Sequence, residues 1–145
     1  PFKTKDMTNP HLYSRILIVD DEAEVCEALK DYLTAQQFVV ETASDGEDAL
    51  AKLDDFDPYC ILLDIRMPYL NGKEALKMIK LRSPDVEVIM VTAVANLNTA
   101  EECMQNGAFG FLAKPVDLSH LLKDINKALE HRKNKICSKE NDGKA

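Results

Sequence analysis

Arg15-Ile-Leu-Ile-Val19, followed at once by Asp20-Asp21-Glu22, is the stretch that decides the fold. Its apolar side chains form the short, nearly continuous run expected of a strand buried on both faces of a parallel sheet. The run stops at the two aspartates, and the period then changes. Val25, Leu29, Tyr32 and Leu33 fall at i, i+4, i+7 and i+8, one apolar stripe along a helix that ends near Ala35. The opening unit is therefore strand, then helix.

The unit recurs down the chain. Phe38 to Thr42 reads as a second strand, and Ser44-Asp-Gly-Glu47 as a capping box that starts a helix running to about Leu53. Tyr59 to Leu63 is a third buried strand. A turn from Pro68 to Gly72, where Gly72 supplies backbone freedom, leads into a helix from about Lys73 to Leu81 that Ser83-Pro84 breaks. Val86 to Val91 is the fourth strand, and Asn98-Thr-Ala-Glu101 offers an N-cap for a short helix that Gly107 ends. Phe109 to Ala113 is the fifth. Asp117 then caps an amphipathic helix carrying Leu118, Leu121, Leu122, Ile125 and Leu129. Five strand-helix pairs in alternation predict an α/β, (βα)5 doubly wound domain around a five-stranded parallel sheet. The expected organisation is a polar arm over 1–14, one domain over 15–132, and a tail or start of a linker over 133–145.

Composition agrees with one such domain. The 145 residues suffice for one core, and 46% hydrophobic with 30% charged residues exclude wholesale disorder and a disulfide-scaffolded miniprotein. Asp and Glu number 25 against 18 Lys and Arg, a net charge of -7, which argues against a general nucleic-acid-binding surface and for an affinity for cations. No apolar run is long enough for a membrane span and no signal peptide is present, so a cytoplasmic protein is expected. Cys26, Cys60, Cys103 and Cys137 are widely spaced and read as reduced thiols, Cys103 as packing with Ala100 and Met104. A chain that opens on Pro1 suggests a piece of a longer protein.

Sheets of this kind build their sites at the carboxyl ends of the strands. Asp20 and Asp21 end the first strand, Asp64 the third, Thr92 the fourth and Lys114 the fifth, so residues scattered through the sequence meet at one edge. Each taken alone is a solvated loop end, and Asp20-Asp21 serves equally well as a helix cap. Together they form a site. Three gathered carboxylates repel, by about 4 kcal/mol for a pair 4 Å apart at an effective dielectric of 20, and need a cation. Magnesium fits a site of carboxylates, a carbonyl and waters. With an ammonium and a hydroxyl beside it, such a site suits a phosphoryl group, for which a carboxylate is a competent acceptor.

These residues stand in four stretches: Ile16 to Glu22, Ile61 to Gly72, Val91-Thr92-Ala93 and Gly107 to Pro115. In that order and at those spacings the chain resembles, over roughly Arg15 to Arg132, a response-regulator receiver domain of two-component signalling. The resemblance implies strand order 2-1-3-4-5 and assigns roles. Asp64 is the implied phosphoacceptor for a partner histidine kinase or phosphotransfer protein. Asp21 and Asp64 are the implied direct magnesium ligands, with the main-chain carbonyl of Arg66 as a third and Asp20 acting through water. Lys114 is expected to contact phosphoryl oxygens, aimed by a cis peptide before Pro115, while Thr92 and Phe111 form the switch. Small Ala93 leaves access open, and Arg66 and Val94 occupy positions that tune phosphoryl lifetime. Phe111 is otherwise simply core, and Arg66 a solvated side chain.

On this reading the chain is no enzyme beyond catalysing its own phosphorylation and dephosphorylation. It switches a surface on the fourth helix, fifth strand and fifth helix that meets a downstream effector, with no direct contact to nucleic acid or membrane. A phosphorylation-dependent dimer through that face is an expectation weakened by Ala108-Phe109-Gly110, where DNA-binding relatives carry acidic residues. The rival is a small α/β phosphatase with an aspartyl-phosphate intermediate, which would need a carboxylate where Arg66 stands. A flavodoxin-like cofactor binder fits worse, because two aspartates end the first strand where a phosphate loop is required. Residues 131–145 hold five Lys and Arg against two Asp and Glu, net +3, leaving -10 in residues 1–130. Leu122, Ile125, Leu129 and Ile136 continue a roughly heptad spacing into that basic tail, as the start of a helical linker would.

Overall fold

A computed structural model describes residues 11–67, 71–93 and 96–144, with side chains as far as Lys139. Along the chain run β1 (Arg15–Val19), α1 (Ala23–Ala35), β2 (Val39–Ala43), α2 (Gly46–Phe56), β3 (Cys60–Leu63), α3 (Gly72–Arg82), β4 (Glu87–Thr92), α4 (Leu97–Gln105), β5 (Gly110–Ala113) and α5 (Leu118–Lys144). The strands form one parallel sheet in the order β2-β1-β3-β4-β5. The doubly wound architecture is as the strand-helix alternation predicts.

The continuous apolar runs are explained by what covers each face. Successive strand side chains point to opposite sides. Leu17, Val19, Ile61, Leu63, Val88 and Met90 pack with Leu50 and Leu53 of α2, Leu76 and Ile79 of α3 and Cys103 of α4. Ile16, Ile18, Leu62, Ile89 and Val91 face the other way, onto Leu29 and Leu33 of α1 and Leu121, Ile125 and Leu129 of α5. Two cores thus share one sheet. Burying each such side chain contributes about 1.5–3 kcal/mol, which favours apolar residues at every central position.

Local details depart from the sequence reading at element ends. The cap of α2 is Asp45, whose side chain accepts from the Asp48 amide at 2.8 Å, while Asp48 accepts in turn from the Ser44 amide at 3.2 Å. The cap therefore falls one residue after the expected Ser44, and Asp48 rather than Glu47 bonds back, to the Ser44 amide. Similarly Asn96, not Asn98, caps α4, accepting from the Thr99 amide at 2.9 Å. Asp117 caps α5 as expected, accepting from the amides of Ser119 and His120. Gly107 ends the α4 region with φ +101, a conformation that disfavours any side chain. The helix α5 runs 27 residues, through the predicted tail. Residues 11–14 pack on the body, with His11 and Ser14 buried and the Val39 amide bonded to the Ser14 carbonyl.

Gly72 has a role other than turn flexibility. An added Cβ would lie 2.2 Å from the Asp64 carbonyl oxygen and 2.6 Å from the Ile65 Cα. The start of α3 is pressed against the backbone that carries Asp64, and the Gly72 amide donates to the Ile65 carbonyl at 2.8 Å. Gly72→Ala is expected to cost about 2–4 kcal/mol in urea unfolding, since the atoms met are backbone and must move. Loss of less than about 0.5 kcal/mol would show that the two segments are not in tight contact.

Candidate functional site

The carboxyl edge of the sheet gathers Asp20, Asp21 and Asp64. Each offers an oxygen, and the three oxygens lie within 4.8 Å of one another. Asp20 and Asp64 are 4% and 5% exposed, and Asp21 is exposed. Two carboxylates this buried require compensation, because an uncompensated buried charge is costly. Lys114 supplies it. Its Nζ lies 2.7 Å from Asp20 Oδ2, 3.1 Å from Asp64 Oδ2 and 3.6 Å from Glu22 Oε1.

Main-chain groups hold the remaining oxygens. The Glu22 amide donates to Asp20 Oδ1 at 2.9 Å, and the Arg66 amide to Asp64 Oδ1 at 3.2 Å. Burial works to lower the pKa of Lys114, but its hydrogen bonds to Asp20 and Asp64, and their charges, outweigh it and hold the group above the ordinary lysine range. The ammonium is therefore charged at neutral pH.

The other predicted residues lie around this centre. Thr92, at the end of β4, is fully buried, and its carbonyl accepts from the Lys114 amide at 2.9 Å. Phe111 is half-buried against the α2–α4 face of the core. Ala93 and the Arg66 side chain are exposed, and the Lys114–Pro115 peptide is cis. Val94 and Pro68 lie outside the described residues. Open clefts flank the carboxylates: one of about 310 Å³ beside Cys26, Lys30 and Thr42, another of about 560 Å³ beside Met67, Asn71 and Lys73. Asp21 lines both clefts, and Asp20 lines the first.

Sequence reading missed three participants. Glu22 approaches Lys114 from the start of α1, Cys26 donates its thiol to the Asp20 carbonyl at 3.3 Å, and the Arg66 amide, not its side chain, orients Asp64. The thiol of Cys26 is pushed up, by burial first and then by the charge of Asp20, so it sits as a neutral donor.

The model of the response regulator receiver domain family matches residues 16–126. The chain belongs to this family. Among curated relatives, the receiver is 39% identical over 117 residues to the regulatory protein AtoC of Escherichia coli, covering 81% of this chain and 25% of that protein. To LuxO of Vibrio cholerae it is 35% identical over 112 residues, covering 77% and 25%. The chain thus spans about a quarter of the length of these relatives, none of which is a phosphatase. Among solved structures, a receiver domain protein from Methanospirillum hungatei superposes with a TM-score of 0.81 at 31% identity, covering 84% of this chain and 98% of that one. NtrX from Brucella abortus gives 0.83 at 31%, covering 88% and 30%. The receiver of two-component response regulators is what this sequence encodes, and among its described residues no helix is long and apolar enough to cross a membrane.

The ion cluster makes a direct prediction about stability. With Lys114→Met, buried Asp20 and Asp64 lose their cation, and unfolding in urea with a metal chelator at pH 7 is expected to show a loss of about 3 kcal/mol. Because the folded pKa of Lys114 is raised, its contribution persists through neutral pH and is lost only as pH rises above about 10.4, the unfolded value. An equally stable variant at pH 7 would mean that the ammonium does not hold the site together.

Proposed function

We propose that Asp64 accepts a phosphoryl group and that the edge formed by Asp20, Asp21, Thr92 and Lys114 stabilises it. The observation that carries this reading is the Lys114 ammonium held between Asp20 and Asp64 beside a third carboxylate. A carboxylate oxygen of Asp64 attacks phosphorus as the phosphorus–nitrogen bond of a partner's phosphohistidine breaks. The imidazole leaves with the bonding pair and an acyl phosphate remains. Lys114 then follows the new negative oxygens, and the Thr92 hydroxyl donates to one of them.

The donor set fits magnesium: three carboxylates with only one ammonium among them leave an excess of negative charge on hard oxygen ligands. Asp21, Asp64 and the Arg66 carbonyl would hold the ion directly, and Asp20 would act through water. When bound, the ion supplies charge neutralisation for the donor and acceptor oxygens as they approach. Asp64 keeps its orientation from the Arg66 amide, and the exposed Ala93 leaves the approach open.

The change then passes to the surface of α4, β5 and α5. As Thr92 turns toward the phosphoryl group, half-buried Phe111 moves into the space released, and a downstream effector or a second phosphorylated copy reads the altered face. Arg66 and Val94 set how long the phosphoryl group lasts, and Pro115 follows the residue that contacts it. The partners are a histidine kinase or phosphotransfer protein and an effector in the cytoplasm, not nucleic acid or membrane. The chain acts on itself rather than turning over a separate substrate.

Incubation with acetyl phosphate and magnesium, followed by intact mass measurement, tests this. One phosphoryl adduct is expected, absent in Asp64→Asn. No adduct, or steady release of phosphate from phosphate esters, would favour the phosphatase reading instead.

A further inference from the structure

At the opposite edge of the sheet a second charged cluster stands outside the phosphoryl site. Glu87 opens β4 and is 2% exposed. A carboxylate so buried is stable only with charged or hydrogen-bonding partners. Among the described residues, its side-chain partners are both on α5: His131 Nδ1 bonds Oε2, and Lys135 Nζ lies 3.4 Å from Oε1. One turn further, Lys139 Nζ meets Asp85 Oδ1 at 2.6 Å, and that bond is the first cause holding the Asp85 carboxyl below the usual range. His131, Lys135 and Lys139 are spaced i, i+4 and i+8, so they share one helix face.

We infer that this basic stripe clasps the last turns of α5 to the core through Glu87 and Asp85, and so fixes the direction in which the helix leaves the receiver. Three observations support a clasp over simple continuation of the helix. The buried apolar stripe of α5, Leu121, Ile125, Ala128 and Leu129, ends at Leu129; beyond it, among the described residues, Ile136 is half-buried, Arg132 stacks over the Tyr59 ring at 3.8 Å and His131 lies against Phe109. A helical segment as short as 131–139 is marginal in water by itself. Lys80 of α3, also nearby, donates to the carbonyls of Pro84 at 2.9 Å and Val86 at 2.7 Å, and among the described residues the hydrogen bonds to the Glu87 side chain come from α5.

The clasp has a mechanical consequence. Glu87 and Thr92 are the two ends of one buried strand, roughly 16 Å apart at 3.3 Å per residue. A partner that reads the end of α5 therefore reads an axis set by the same strand that carries the switch threonine. This inference does not depend on phosphorylation of Asp64. The clasp lies on both sides of the expected boundary at residue 132.

The experiment is amide hydrogen exchange on the 145-residue chain and two variants. Glu87→Met removes the buried charge and suits the core, so the fold should persist while the amides of residues 131–139 exchange at least about threefold faster and those of 121–129 are unchanged. Lys135→Ala with Lys139→Ala removes the helix side of the clasp and should give the same pattern, which keeps the test decisive if Glu87→Met fails to fold. A change below about threefold in the folded variants, or wild-type amides in 131–139 already exchanging as fast as an unstructured chain, would overturn the inference.

Discussion

Everything at the functional edge depends on one ammonium shared by two buried carboxylates. Asp20 and Asp64 come from different strands, are almost fully enclosed, and would repel each other and Asp21 strongly without Lys114 between them. The parallel sheet makes this possible, because all its strands end their runs at the same edge. A site assembled from separate strand ends can hold more like charge than any single loop, since the backbone is fixed by packing on both faces. Lys114 offsets that repulsion by meeting a carboxylate from each of two strands.

The same rigidity explains why small details around Asp64 matter. Gly72 brings the start of α3 within contact of the Asp64 backbone, where no side chain fits. The Arg66 amide holds one carboxylate oxygen of Asp64 and Lys114 the other, so that carboxylate is fixed in one orientation. Meanwhile the opposite edge carries the inverse arrangement, a buried carboxylate covered by a basic helix face. The acidic body and basic tail evident in the charge count therefore meet in a specific contact.

Much of this was legible in the sequence. Runs such as Ile16 to Val19 and Cys60 to Leu63 read as doubly buried strands because both faces are indeed covered, and the strand ends located Asp20, Asp21, Asp64, Thr92 and Lys114 at one edge. The caps of α2 and α4 were displaced by one or two positions because neighbouring residues, Ser44 and Asp45 or Asn96 and Asn98, are all able to cap; only the path of the entering backbone chooses. The roles of Gly72 and the Arg66 amide depend on contacts across the fold that no local pattern encodes. Glu87 was hidden for a related reason: one polar residue at the start of a strand resembles a solvated end until the distant helix that covers it is placed.

The most direct test of the central claim is the location of the phosphoryl group. Borohydride reduces an aspartyl phosphate to homoserine, and peptide mass mapping then reports the residue. The account predicts conversion at Asp64 alone. Conversion at Asp20 or Asp21 instead, or none in a chain that has gained a phosphoryl group, would contradict it.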